Sequence, residues 1–148
     1  MTPAHITPQQ ITLVQSSWAQ LQPLQATAAS LFYGRLFELA PDTRPLFLRD
    51  IHVQGAMLMK TLDSVVAQLG RLGELLPAAA QLARRHVGYG VQPAHYDSVG
   101  TALLWTLEQA LGSGFTPALR QAWALAYAAL ATAMKDAAYP AAATPAAG

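Results

Sequence analysis

Apolar residues recur along most of this chain at the three- and four-residue spacing of a helix face. In "TPQQITLVQSSWAQL", Ile11, Val14, Trp18 and Leu21 fall on one stripe. Thr7, Pro8 and Gln10 ahead of them match a capping box with proline at the first helical position. Pro23 ends or bends that helix. A second apolar segment, "ATAASLFYGRLFELA", stops before Pro41, and "PDTRPLF" reads as an irregular or one-turn piece. A long helix starts at about Asp50, with Ile51, Gly55, Leu58, Leu62, Val65 and Leu69 along one face. "GRLGELLP" reads as a loop, and "AAAQLARRH" as a helix ending near "GYG". "PAHYDSVGTALLWTLEQALG" opens with Pro93 and closes with Gly112. The last helix has a Thr116 cap and Pro117, then Leu119, Trp123, Ala126, Tyr127, Leu130 and Met134.

The pattern predicts an all-α domain of about seven helices over residues 1–139 and a disordered Ala/Pro-rich tail over 140–148. No strand or internal repeat is expected. Composition narrows the function. The chain has 148 residues, 53% of them hydrophobic and only 11% charged, which suits one domain with a sizeable core. A net charge of +1 without a basic run argues against a nucleic-acid partner. The apolar run "QAWALAYAALATAM" is shorter than the roughly 20 residues needed to span a bilayer, so no membrane association is expected. Residues 1–34 contain no Lys or Arg, unlike a secretory leader, and a cytoplasmic location is expected. Without cysteine there is no thiolate nucleophile and no thiolate ligand.

No phosphate-binding glycine loop, zinc-protease motif, serine elbow or paired-carboxylate helix occurs. Histidine among apolar helices remains. His5 lies in the N-terminal arm. His95 stands beside Pro93 at a helix start and is expected at the surface. His52 is two residues from Gln54, roughly 200° around the helix, and faces away from it. His86, in the last turn of an apolar helix and just before Gly88 and Gly90, has two readings. It is a C-terminal imidazole favoured by the helix dipole, or an iron ligand of the proximal-histidine kind.

The segment "LARRHVGYGVQPAHYDSVGTALLWTLEQALG" resembles the proximal region of bacterial single-domain globins and of the haem domains of flavohaemoglobins. "FYGRLFELAPDTRPLF" and "AWALAYAALATAM" resemble the second and last helices of the same family, so that the likeness covers roughly residues 8–136. It implies a globin fold around haem b. His86 falls on the proximal iron ligand, Phe47 on the phenylalanine that packs on the porphyrin, Tyr33 on the distal tyrosine and Gln54 on the distal polar position. Leu58, four residues after Gln54 and on its face, Val91, Tyr96 and Val99 fall among the haem-lining positions. Arg84 and Arg85 are either a solvated helix end or partners of the haem propionates, Arg85 foremost. In flavohaemoglobins a glutamate on the last helix pairs with the proximal imidazole. That position is Ala138 here, with Asp136 two residues early, so the proximal relay is not expected.

Leu58 cannot ligate iron and Gln54 is a poor ligand, which implies a five-coordinate ferrous iron open to dioxygen and other diatomic gases. Tyr33 and Gln54 would hold dioxygen tightly, which suits oxygen chemistry such as oxidation of nitric oxide to nitrate better than reversible transport. The chain ends at residue 148, so the expectation is that no reductase is attached and that any nitric oxide dioxygenase turnover needs an outside one. A monomer or weak dimer is expected. A haem-based gas sensor acting through a partner is the alternative function, and a haem-free helical interaction module a third.

Overall fold

The computed structural model describes residues 6–46, 50–88 and 91–138. Among them are six α-helices and no strand: α1 (Pro8–Leu21), α2 (Gln25–Leu39), α3 (Ile51–Ala67), α4 (Leu72–Gly88), α5 (Pro93–Leu111) and α6 (Pro117–Ala138). The seventh expected element is the turn Pro41–Leu46, which is 3₁₀ rather than α. Pro45 inside it has no N–H to give to the Pro41 carbonyl, the bond an α-turn would need. The tail lies outside the described residues.

The start signals act as the sequence predicts. Thr7 Oγ1 accepts from the Gln10 N–H at 3.1 Å while Gln10 Oε1 accepts from the Thr7 N–H at 2.9 Å. The Asp50 carboxylate accepts from the His52 N–H at 2.8 Å and starts α3. Thr116 Oγ1 accepts from Leu119 N–H at 3.2 Å and starts α6. Gly112, at φ +57°, ends α5 in a conformation that disfavours a side chain.

One expected boundary is corrected. Residues 72–77 are not a loop, because α4 begins at Leu72 and carries Pro77 inside it. The proline removes the N–H that would bond four residues back, typically costing about 3 kcal/mol. Packing of Ala79, Leu82 and Ala83 in a cluster with Ala131 and Met134 of α6 offsets that loss.

Two apolar clusters result. The larger joins Val14, Trp18 and Leu21 of α1 to Phe32 and Leu36 of α2, Met59 of α3, Leu107 of α5 and Trp123 of α6. The smaller lies between α4 and α6 and includes Tyr96 at the start of α5. Tyr127 packs against both. The α2–α5, α4–α6, α2–α3 and α1–α6 pairs pack most closely, whereas α3 and α4 barely meet among the described residues. No helix among the described residues is long and apolar enough to cross a membrane.

Candidate functional site

His86 lies in the last turn of α4, half-buried, with its Nδ1 2.8 Å from the Leu82 carbonyl four residues back. A carbonyl can only accept, so Nδ1 carries the proton and Nε2 keeps its lone pair. The Leu82 carbonyl stands one helical turn before His86 and has two lone pairs, so it can accept from the ring as well as from a backbone N–H. Burial pushes the imidazole below its ordinary pKa, the Leu82 bond opposes this, and the Arg85 charge adds to the lowering. The result is a neutral, oriented imidazole, the state that ligates a metal. The Val91 N–H closes the helix end on the His86 carbonyl at 3.0 Å, and this ties the following chain to the histidine.

Around it the expected lining residues fall as follows. Tyr96 is buried and Val91 half-buried in the α4–α6 cluster. Ala138 packs against the same cluster, and Asp136 is exposed, so the carboxylate points elsewhere as its offset predicts. Tyr127 donates to the Tyr96 carbonyl at 2.6 Å, and burial pushes its phenol above the ordinary range. Arg84 and Arg85 are both exposed, a placement open to either reading of the pair. Val99 and Leu58 pack half-buried against the larger cluster. Phe47 and His5 lie outside the described residues.

On the other side, Tyr33 of α2 is buried and directs its hydroxyl to α3, where it lies 3.5 Å from the Gln54 backbone carbonyl. That is a long, weak bond, and the acceptor is the main chain rather than the Gln54 amide. Burial pushes the Tyr33 phenol up to about 12, so it stays a proton donor through the neutral range. Gln54, Leu58 and Leu62 recur every four residues on α3 and all remain half-buried. His52 is exposed, as its angular offset predicts. Gly55 lets α3 approach α2: a Cβ there would lie 2.9 Å from Ala29 Cβ.

His95 is a correction. It is not at the surface but only 7% exposed. Its Nδ1 accepts from the Gln92 N–H at 3.0 Å and its Nε2 lies 2.8 Å from Asp42 Oδ2. Gln92 and His95 form a capping box around Pro93, and the three-residue spacing was the available signal. Two further residues escaped the sequence reading: Phe37 stacks on Tyr33, and Arg44 lies over Phe37.

The candidate residues are thus one oriented imidazole on α4, apolar half-buried positions on α3 and α5, and a tyrosine with a glutamine on the α2–α3 side. A single oriented imidazole can ligate a metal that brings its other ligands in a macrocycle. The described residues of this site fit haem.

The chain matches the Globin family profile over residues 30–134. It is 32% identical over 136 residues to a flavohemoprotein of Xylella fastidiosa (strain Temecula1), covering 90% of this chain and 34% of that protein. A flavohemoprotein of Bacillus subtilis (strain 168) is 30% identical over 126 residues, 83% of this chain and 32% of its own length. The chain therefore spans about a third of the length of these curated relatives.

Proposed function

This chain belongs to the globin family, and from that premise we propose that it holds haem b through His86 and takes dioxygen on the side of Tyr33 and Gln54. The observation that carries the reading is the Nδ1 bond of His86 to Leu82, which orients the ring and sets the tautomer in which Nε2 is the ligating nitrogen. Haem, when bound, supplies an iron centre that takes diatomic gases reversibly. Leu58 offers no lone pair, so it would not compete with the gas for a metal. Phe47, Val91, Tyr96 and Val99 would line the macrocycle, with Arg85 at a propionate.

Tyr33 and Gln54 contribute donors. A hydrogen bond from either to a partly charged gas would contribute roughly 1.5–3 kcal/mol. One such bond slows its loss about ten- to a hundredfold. Carbon monoxide gains less charge and is slowed less. Tight retention of dioxygen suits a reaction with nitric oxide better than reversible transport, with electrons from a reductase.

The test combines two measurements on the haem-loaded protein. Tyr33→Phe is expected to raise the oxygen dissociation rate about tenfold or more with little change for carbon monoxide. Stopped-flow mixing of the oxygenated protein with nitric oxide is expected to yield nitrate, and to turn over when a reductase is added. An oxygen release unchanged in Tyr33→Phe overturns the distal assignment. No nitrate overturns the dioxygenase reading and leaves gas binding standing.

A further inference from the structure

Tyr33 can hold a gas ligand only if its ring is held, because the hydroxyl sits at the far end of a rigid plane. Hydrogen bonds weaken steeply outside about 2.7–3.2 Å, so a small ring tilt removes the donor. The hydroxyl lies 3.5 Å from the Gln54 carbonyl, a contact too long to fix the ring by itself. Two aromatic neighbours on α2 do more. Phe32 meets the Tyr33 ring edge-on, with centroids 5.1 Å apart and planes at 75°. Phe37, four residues on and on the same helix face, stacks on it at 5.9 Å and 28°. Phe37 is only half-buried and has a cover of its own: the Arg44 guanidinium stands 5.1 Å from its ring centroid.

Arg44 is placed by the turn Pro41–Leu46, and that turn is fastened on both sides. Thr43 is buried and its hydroxyl donates to the Ala40 carbonyl at 2.6 Å, holding the turn to the end of α2. Asp42 is held to His95 of α5 at 2.8 Å. The backbone that carries Arg44 is thereby set by contacts that do not involve Phe37.

We propose that Phe37 and Arg44 are positioning residues for Tyr33: Arg44, held in place by the 3₁₀ turn, clamps the Phe37 ring, and Phe37 fixes the direction of the Tyr33 hydroxyl. The inference rests on Tyr33 being the distal donor, but the stack itself does not depend on haem.

The experiment compares Phe37→Leu, Arg44→Met, Arg44→Lys and Tyr33→Phe. In the haem-free protein labelled with ¹³Cζ-tyrosine, the Tyr33 resonance is identified by its loss in Tyr33→Phe. It is expected to shift in Phe37→Leu and in Arg44→Met, and to return toward wild type in Arg44→Lys, which keeps the cation. In the haem-loaded protein, Phe37→Leu and Arg44→Met are expected to raise the oxygen dissociation rate about two- to tenfold, with little effect on carbon monoxide. Neither change is expected to add to the effect of Tyr33→Phe, since both act through the same hydroxyl. An unmoved Tyr33 resonance overturns the clamp, as do rates that add to those of Tyr33→Phe. If Tyr33→Phe alone leaves oxygen release unchanged, the distal reading fails instead, and the resonance still reports whether the stack holds the ring.

Discussion

Replacing Gly55 by alanine pits two effects of known size against each other beside the distal residues. Alanine is better than glycine in a helix interior by about 0.8–1.0 kcal/mol. Against this, the new Cβ would stand 2.9 Å from Ala29 Cβ, an atom fixed to the α2 backbone that no rotamer change can move. Ordinary carbon–carbon contact is about 3.5–4.0 Å, so α2 and α3 must part by about 0.6 Å or more. Overpacking of this kind costs about 1–3 kcal/mol. The net expectation is a loss of up to about 2 kcal/mol, with a displacement across the seam that carries the Tyr33–Gln54 contact. Gly34 is the control. It is exposed on α2 with nothing within 4 Å of a Cβ, and Gly34→Ala is expected to stabilise by about 0.5–1 kcal/mol. Urea unfolding of the haem-free protein, followed by far-ultraviolet circular dichroism, takes haem release out of the equilibrium. Gly55→Ala combined with Ala29→Gly should recover the clash, giving a coupling energy of about 1 kcal/mol or more. Additivity of the two substitutions within about 0.5 kcal/mol, or stabilisation by Gly55→Ala equal to that of Gly34→Ala, would refute the close crossing.

Three further outcomes follow from the same contacts. Tyr33 and Tyr127 both have phenols raised by burial, so their contribution to stability is complete below the ordinary tyrosine value of about 10 and is lost as pH rises beyond it. Titration at 295 nm of the folded haem-free protein should show Tyr33 and Tyr127 ionising late, and Tyr33→Phe should remove one late step; ionisation of both in the ordinary range would contradict the burial. The Asp42 carboxyl lies below its ordinary value, chiefly through its hydrogen bond to His95. Its contribution is therefore present above about pH 4 and lost as pH falls through the lower folded value; Asp42→Asn should flatten that acid limb of a stability–pH profile, and an unaltered slope would count against the pair. Tyr127→Phe removes the donor to the Tyr96 carbonyl and is expected to cost about 1–2 kcal/mol in urea unfolding, whereas no loss would mean the bond contributes nothing net.

What the sequence made legible was local. Capping boxes and N-terminal prolines act over three or four residues, so the starts of α1 and α6 could be read from Thr7, Pro8, Thr116 and Pro117. Helical spacing likewise put Gln54 and Leu58 on one stripe and turned His52 away. The role of His86 rested on resemblance as well, since its surroundings alone allowed a helix-end histidine. The misses were tertiary. Pro77 reads as a helix breaker, and only packing of α4 on α6 makes its place inside a helix tolerable. His95 reads as a surface residue because its partner Asp42 is 53 positions away. Arg44 over Phe37 likewise depends on how the turn Pro41–Leu46 folds back on α2, which no periodicity encodes.

The central claim is that His86 holds the haem, and the most direct measurement is the Soret-to-protein absorbance ratio after gel filtration of haem-reconstituted His86→Ala. Far-ultraviolet circular dichroism on the same samples checks that the helices remain. The account predicts that the variant stays helical and loses its haem on the column, and that His86→Gly regains retention when imidazole is added to replace the missing ring. A ratio equal to that of the unaltered protein would contradict it.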